Sequence, residues 1–129
     1  MSTDQRFNGL EPSLIGSGST LGTAVRLGGF ALIGLVLDAD WTQNDITFQT
    51  SVDYEAADEA GATWYNVYFD DTDAELTIPS AVAKPSRALA MHLVLNKLGA
   101  FNWIRPRSGT ALIPAAQGSD TLLTFITKA

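Results

Sequence analysis

Apolar and polar residues alternate through much of this chain with a period of two. From Ile46 to Asp53, the side chains of Ile46, Phe48, Thr50 and Val52 fall on one side and those of Thr47, Gln49, Ser51 and Asp53 on the other. Such alternation predicts a strand with one packed face and one wet or polar face. Ala24 to Leu37 reads as a strand pair or one long bent strand, with Gly28, Gly29 and Gly34 marking bends or turns. Trp64 to Phe69 is aromatic and strand-like, Glu75 to Pro79 is a short strand, and Phe101 to Arg107 and Thr121 to Thr127 complete the set. Arg87 to Asn96 is ambiguous. Its Ala, Leu and Met content favours a helix capped at Gly99, but Leu89, Met91, Leu93 and Leu95 alternate with Ala90, His92, Val94 and Asn96. We read it as a strand followed by a turn over Lys97 to Ala100.

The sum is about seven or eight short strands separated by turn signals, which predicts an all-β domain, a β-sandwich or jelly roll. Residues 1–22, rich in Gly and Ser and followed by Thr23, read as an extended N-terminal arm, and residues 23–129 as the sandwich domain. Within the arm, Phe7, Leu10, Leu14 and Ile15 are apolar and are candidates for docking on a partner or on the domain itself. The expected core consists of Val36, Phe48, Val52, Trp64, Val67, Ile78, Leu93, Ile104, Leu122 and Phe125.

Composition narrows the functional classes. A chain of 129 residues fits one domain and can bury a core without staples. It has no cysteine, so disulfides and thiolate metal sites are excluded. A net charge of −6 argues against general nucleic-acid binding. The N-terminal segment is polar and unlike a secretory leader, and the apolar run Phe30 to Leu37 is too short to span a bilayer. Neither nucleic acid nor membrane is expected as a partner, and synthesis in the cytoplasm is expected.

Motifs with chemistry were sought and each fails on a named residue. Gly16 to Thr23 lacks the lysine of a phosphate-binding loop. The acidic run Asp70, Asp71, Asp73 and Glu75 imitates a calcium loop counted from Asp71, but Leu76 stands where the turn glycine belongs and Val82 where the closing glutamate belongs. His92 lies in an apolar segment with no nucleophile motif to serve. No catalytic residue, cofactor or metal ligand is assigned, and the protein is expected not to be an enzyme. Trp41, Trp64 and Trp103 are candidate sugar platforms, with core packing the simpler role. Arg105 and Arg107 share one strand face, where they would bind an anion, an acidic partner or the protein's own acidic loops.

Two blocks carry a family likeness. One is Trp41-Thr42-Gln43-Asn44-Asp45-Ile46-Thr47-Phe48-Gln49-Thr50-Ser51-Val52-Asp53, followed later by Trp64-Tyr65-Asn66-Val67-Tyr68. The other runs from Ile104-Arg105-Pro106-Arg107-Ser108-Gly109-Thr110 to Pro114-Ala115-Ala116-Gln117. They resemble small virion proteins of tailed phages and prophages, which show a W-T-x-x-x-I-T-F-Q-x-S-x-D strand and a late R-S-G-T turn. The chain departs from that pattern where Tyr54 replaces the glycine after Asp53 and where Pro106 interrupts the second strand. The resemblance implies a jelly-roll-like structural protein of the phage particle, a capsid decoration (cement) protein that binds and stabilises the head shell. Head-fibre, neck and tail roles are compatible with it. The implied partners are the major capsid protein or other virion proteins, together with further copies of the chain as a homo-oligomer, with a trimer the expected form. The implied place is the virion, assembled in the host cytoplasm. The alternative from the residues themselves is a carbohydrate-binding β-sandwich module, since fold alone does not decide function.

Overall fold

The computed structural model describes residues 8–55, 61–70, 73–91 and 93–128. Eight strands form two antiparallel four-stranded sheets: β1 (Asn8–Ile15), β2 (Val25–Arg26), β3 (Ala31–Leu37), β4 (Ile46–Ser51), β5 (Tyr65–Asn66), β6 (Arg87–Ala90), β7 (Trp103–Ser108) and β8 (Thr121–Lys128). The first sheet has the order β1-β8-β3-β6 and the second β2-β7-β4-β5. The pairs are nested: β1 lies on β8, β2 on β7, β3 on β6 and β4 on β5. The chain is thus one long antiparallel hairpin with its bend between β4 and β5, rolled so that its two arms contribute to both sheets. The result is an all-β sandwich, as the period-two patterning predicts.

The core fills the space between the sheets. Ile15, Leu32, Leu35, Leu37, Leu123 and Phe125 come from the first sheet, and Val25, Ile46, Phe48 and Ile104 from the second. Phe48 meets Phe125 edge-on, with ring centroids 6.3 Å apart. Trp41 seals one end of the core, its indole N–H donating to the Ala83 carbonyl at 2.8 Å. Where the chain leaves the second sheet for the first, Phe30 N–H donates to the Leu27 carbonyl at 3.0 Å across Gly28 and Gly29. Both glycines have positive φ, 62° and 85°. Only glycine adopts that pair of conformations without strain, so the run expected as a strand pair or one bent strand becomes two strands in different sheets.

Several expectations need correction. Residues 8–15, assigned to an extended arm, are the edge strand β1, hydrogen-bonded along β8 from Asn8↔Lys128 to Ile15↔Thr121. The remainder of that arm's described part is also tied down: Gly22 N–H donates to the Pro106 carbonyl at 2.8 Å and Thr23 N–H to the Leu14 carbonyl at 3.1 Å. The segment read as a strand over Arg87–Asn96 is a strand only to Ala90. A helical turn α1 (Leu93–Asn96) and a 3-10 turn over Lys97–Ala100 follow it. Helix-favouring Leu93, Leu95 and Leu98 sit there, and Gly99 lets the turn press against backbone, since a Cβ at that position would overlap the Phe30 carbonyl. Beyond β5, the expected strands at Trp64–Phe69 and Glu75–Pro79 reduce to isolated bridges, Tyr68↔Glu75 and Ile46↔Ile78.

In the core assignment, Phe48, Val67, Ile78, Ile104 and Phe125 are buried. Val36 and Trp64 are only half-buried. Val52 is 85% exposed because β4 ends at Ser51, and Leu122 faces outward because Leu123 and Phe125 hold the inward positions of β8. The side chain of Leu93 and all of His92 lie outside the described residues.

Candidate binding surfaces

The outward faces of the two sheets differ in chemistry. On the second sheet, β4 and β7 pair Thr47 with Arg107, Gln49 with Arg105 and Ser51 with Trp103. This is the polar side of the Ile46–Asp53 alternation, and it is covered rather than wet: Thr47 and Ser51 are buried. Arg107 is held from three directions. Its Nη2 donates to Glu75 Oε2 at 2.8 Å and to Asn66 Oδ1 at 2.9 Å, and its Nε donates to Thr47 Oγ1 at 3.1 Å. Arg105 Nε donates to Gln49 Oε1 at 2.8 Å, and its guanidinium lies 4.2 Å from the centre of the Trp64 ring. Arg107 thus pairs with an acid of its own chain, the last of the roles open to it in the sequence, while Arg105 is held against Gln49 and Trp64.

The same layer absorbs two of the three tryptophans. Trp41 is core, Trp64 is capped by Arg105, and Trp103 packs on Tyr54 with centroids 4.3 Å apart. The Trp64 indole N–H is enclosed and meets no acceptor among the described residues. A sugar platform needs an open ring face, which Trp41 does not have.

One titrating group in this region is perturbed. The Asp53 carboxylate accepts the Thr63 N–H and the Ser51 hydroxyl, each at 2.8 Å. The Thr63 backbone bond, then the Ser51 bond, hold its pKa below the ordinary 3.8.

The outward face of the first sheet is apolar. Register places Leu14 beside Leu122; Pro12 beside Thr124, Val36 and Ala88; and Leu10 beside Ile126, Gly34 and Ala90. Those three rows contain no charge, and Thr124 is their one polar side chain. Leu10 is 68% exposed, Leu14 45% and Leu122 39%. Asp38 closes one end by accepting the Leu122 N–H at 2.8 Å, and Lys128 stands at the other. Pro12 lies on the open edge strand, where it has no N–H to offer a further strand.

Of the candidate binding residues, the structure thus gathers Leu10 and Leu14 on this face. Ile15 is buried in the core and does not contribute; Arg105 and Arg107 lie on the opposite sheet; Phe7 lies outside the described residues. Sequence reading missed the partners of Leu10 and Leu14 on β8, β3 and β6. Their signal is the outward set Leu122, Thr124 and Ile126, visible once the phase of β8 is known.

Among the described residues, no group of three or more His, Cys, Asp or Glu side chains is placed to hold a metal ion. Among them also, no helix is long and apolar enough to cross a membrane. Compared with known protein families, with curated proteins and with solved structures, the chain gives no match.

Proposed function

We propose that this chain is a non-catalytic structural protein of a tailed-phage particle, a decoration protein that binds the head shell through the apolar outer face of its β1-β8-β3-β6 sheet. The observation that carries the reading is that face, three rows deep, charge-free and open to water at Leu10, Pro12, Leu14 and Leu122. Water-exposed apolar surface of this kind marks an interaction site. Its extent is about 13 by 14 Å between Cα positions, from strand rise and spacing. That is well short of the roughly 800 Å² per partner of a standard interface. A single contact of this size is weak. Repeated over a shell that offers many identical sites, and joined to contacts between neighbouring copies, it becomes a firm attachment.

Topology supports the same reading. Eight strands paired as a rolled, nested hairpin favour the jelly-roll form of the sandwich, an architecture of viral capsid and lectin domains. The blocks that resemble phage virion proteins supply scaffold here, with Trp41 sealing the core and Gly109 shaping a fixed turn at φ 87°. The major capsid protein is the proposed partner, and the virion, assembled in the host cytoplasm, the proposed location.

The test is binding of purified protein to shells lacking it, followed by sedimentation. A double variant, Leu14→Glu with Leu122→Lys, puts an opposite-charge pair at two directly paired, partly exposed positions and should keep its thermal midpoint within a few degrees while losing co-sedimentation. Undiminished binding by that variant contradicts the assignment of this face.

A further inference from the structure

We infer that two copies of this protein pair edge to edge through β6, across a two-fold axis at Leu89, so that their β1-β8-β3-β6 sheets become one continuous sheet. Among the described residues, four strands stand at sheet edges: β1 and β6 in the first sheet, β2 and β5 in the second. An unpaired row of backbone groups is a template for another strand, and proteins protect such edges with proline, charge or shortness. β2 and β5 are two residues long, and β1 carries Pro12. β6 has four residues, and its Ala88, Leu89 and Ala90 carry neither proline nor charge. Ala88 and Ala90 are exposed. Arg87, the one charge on the strand, is tied back to its own loop, its Nη1 donating to the Val82 carbonyl at 3.2 Å.

Register determines which backbone groups the edge offers. Met91 N–H donates to the Ile33 carbonyl at 3.0 Å, so positions 91, 89 and 87 are the ones bonded to β3. The intervening residues, Ala88 and Ala90, therefore turn their N–H and C=O groups to the open side. Those two positions are symmetric about Leu89. A second β6 laid antiparallel with Leu89 opposite Leu89 brings Ala88 against Ala90 on both sides of the axis, and each such pair exchanges both of its hydrogen bonds. Arg87 falls opposite Met91, so no like charges meet. The edge is thus complementary to itself, which is what an isologous two-fold contact requires and what makes a second copy its occupant. On the inner side, Leu89 borders a cleft of about 370 Å³ lined also by Ile78, Val82, Met91 and Leu95, with no charged side chain. In the pair, the Leu89 side chains of the two copies stand opposite one another at the mouths of their clefts. On the outer side, Ala88 extends the row of Pro12, Thr124 and Val36, and Ala90 that of Leu10, Ile126 and Gly34. Pairing runs both rows unbroken across the two copies and doubles the apolar face. The pairing does not depend on the shell-binding reading and is tested without particles.

Sedimentation equilibrium of the purified chain is the test. At high concentration the wild type should sediment at twice the monomer mass of 13.8 kDa. Ala88→Lys with Ala90→Lys sets lysine opposite lysine at both pairs of the register. That variant should be a monomer with the far-UV circular dichroism of the wild type, and so should Ala88→Glu with Ala90→Glu. An equimolar mixture of the two variants sets glutamate opposite lysine and should restore the dimer, with mixed pairs about tenfold in excess of like pairs by native mass spectrometry. A wild type that stays monomeric up to its solubility limit overturns the proposal, whatever the variants do. So does a lysine variant that keeps the dimer, or a mixture of the two folded variants that stays monomeric. A wild-type assembly of three copies, the form the resemblance implies, overturns it as well, because a two-fold edge contact closes at two.

Discussion

Arg107 and Glu75 meet at 2.8 Å on the outer face of the β2-β7-β4-β5 sheet, with side chains only 7% and 11% exposed. They join regions far apart in sequence: Arg107 pairs across to Thr47 on β4, and Glu75 also accepts the Ala111 N–H of the turn after β7. Removing one partner of an enclosed pair strands the other. Arg107→Ala should therefore cost about 3 kcal/mol in chemical denaturation. Arg107→Met combined with Glu75→Leu, which removes both charges, should recover much of that loss. A single-variant cost near zero would show that this layer contributes little.

The Phe48–Phe125 contact ties the two sheets directly. Phe48 is fully buried, and its ring meets that of Phe125 edge-on. Phe48→Ala should destabilise by roughly 3–5 kcal/mol, from lost burial and the cavity left behind. A double-mutant cycle with Phe125→Ala should show coupling of about 0.5–1.5 kcal/mol, the range for aromatic pairs. Additive single costs would place the two rings in independent environments.

Asp53 gives a pH dependence with a definite sign. Its folded-state pKa lies below the ordinary 3.8, because the Thr63 N–H and the Ser51 hydroxyl bind the charged form. The stabilisation is present above pH 3.8 and is lost as pH falls through the lower folded value. Asp53→Asn should flatten the acid side of the stability profile in that window and speed hydrogen exchange at the Thr63 amide. An unchanged profile and unchanged protection would remove Asp53 from the account of how Thr63 is held.

The sheet architecture was legible where packing and alternation coincide. Ile46 and Phe48 alternate with Thr47 and Gln49, and β4 is where that pattern places it. The misreadings have physical causes. On β8, Leu122 and Leu123 are adjacent and both apolar, so composition leaves the strand's phase open, and only packing against Leu37 settles which one turns inward. At Met91 to Asn96, alternation and helix propensity gave opposite answers. The helix is favoured because Gly99 allows the following turn to lie on the Phe30 carbonyl, a contact between positions distant in sequence. The candidate site was half visible. Leu10 and Leu14 stand out in sequence, but their apolar neighbours come from three other strands whose register no local pattern discloses. The arginines were read correctly as sharing a face, while Glu75, the acid that holds Arg107, could not be chosen from among the acidic residues around it.

The central claim is that this protein is a component of the phage particle. It is tested most directly by quantitative mass spectrometry of gradient-purified particles from a host carrying the gene, with the major capsid protein as internal reference. The account predicts the chain in intact particles at many copies, in a fixed ratio to the capsid protein, and its loss from particles carrying Leu14→Glu with Leu122→Lys. Absence of the wild-type chain from intact, infectious particles would contradict it.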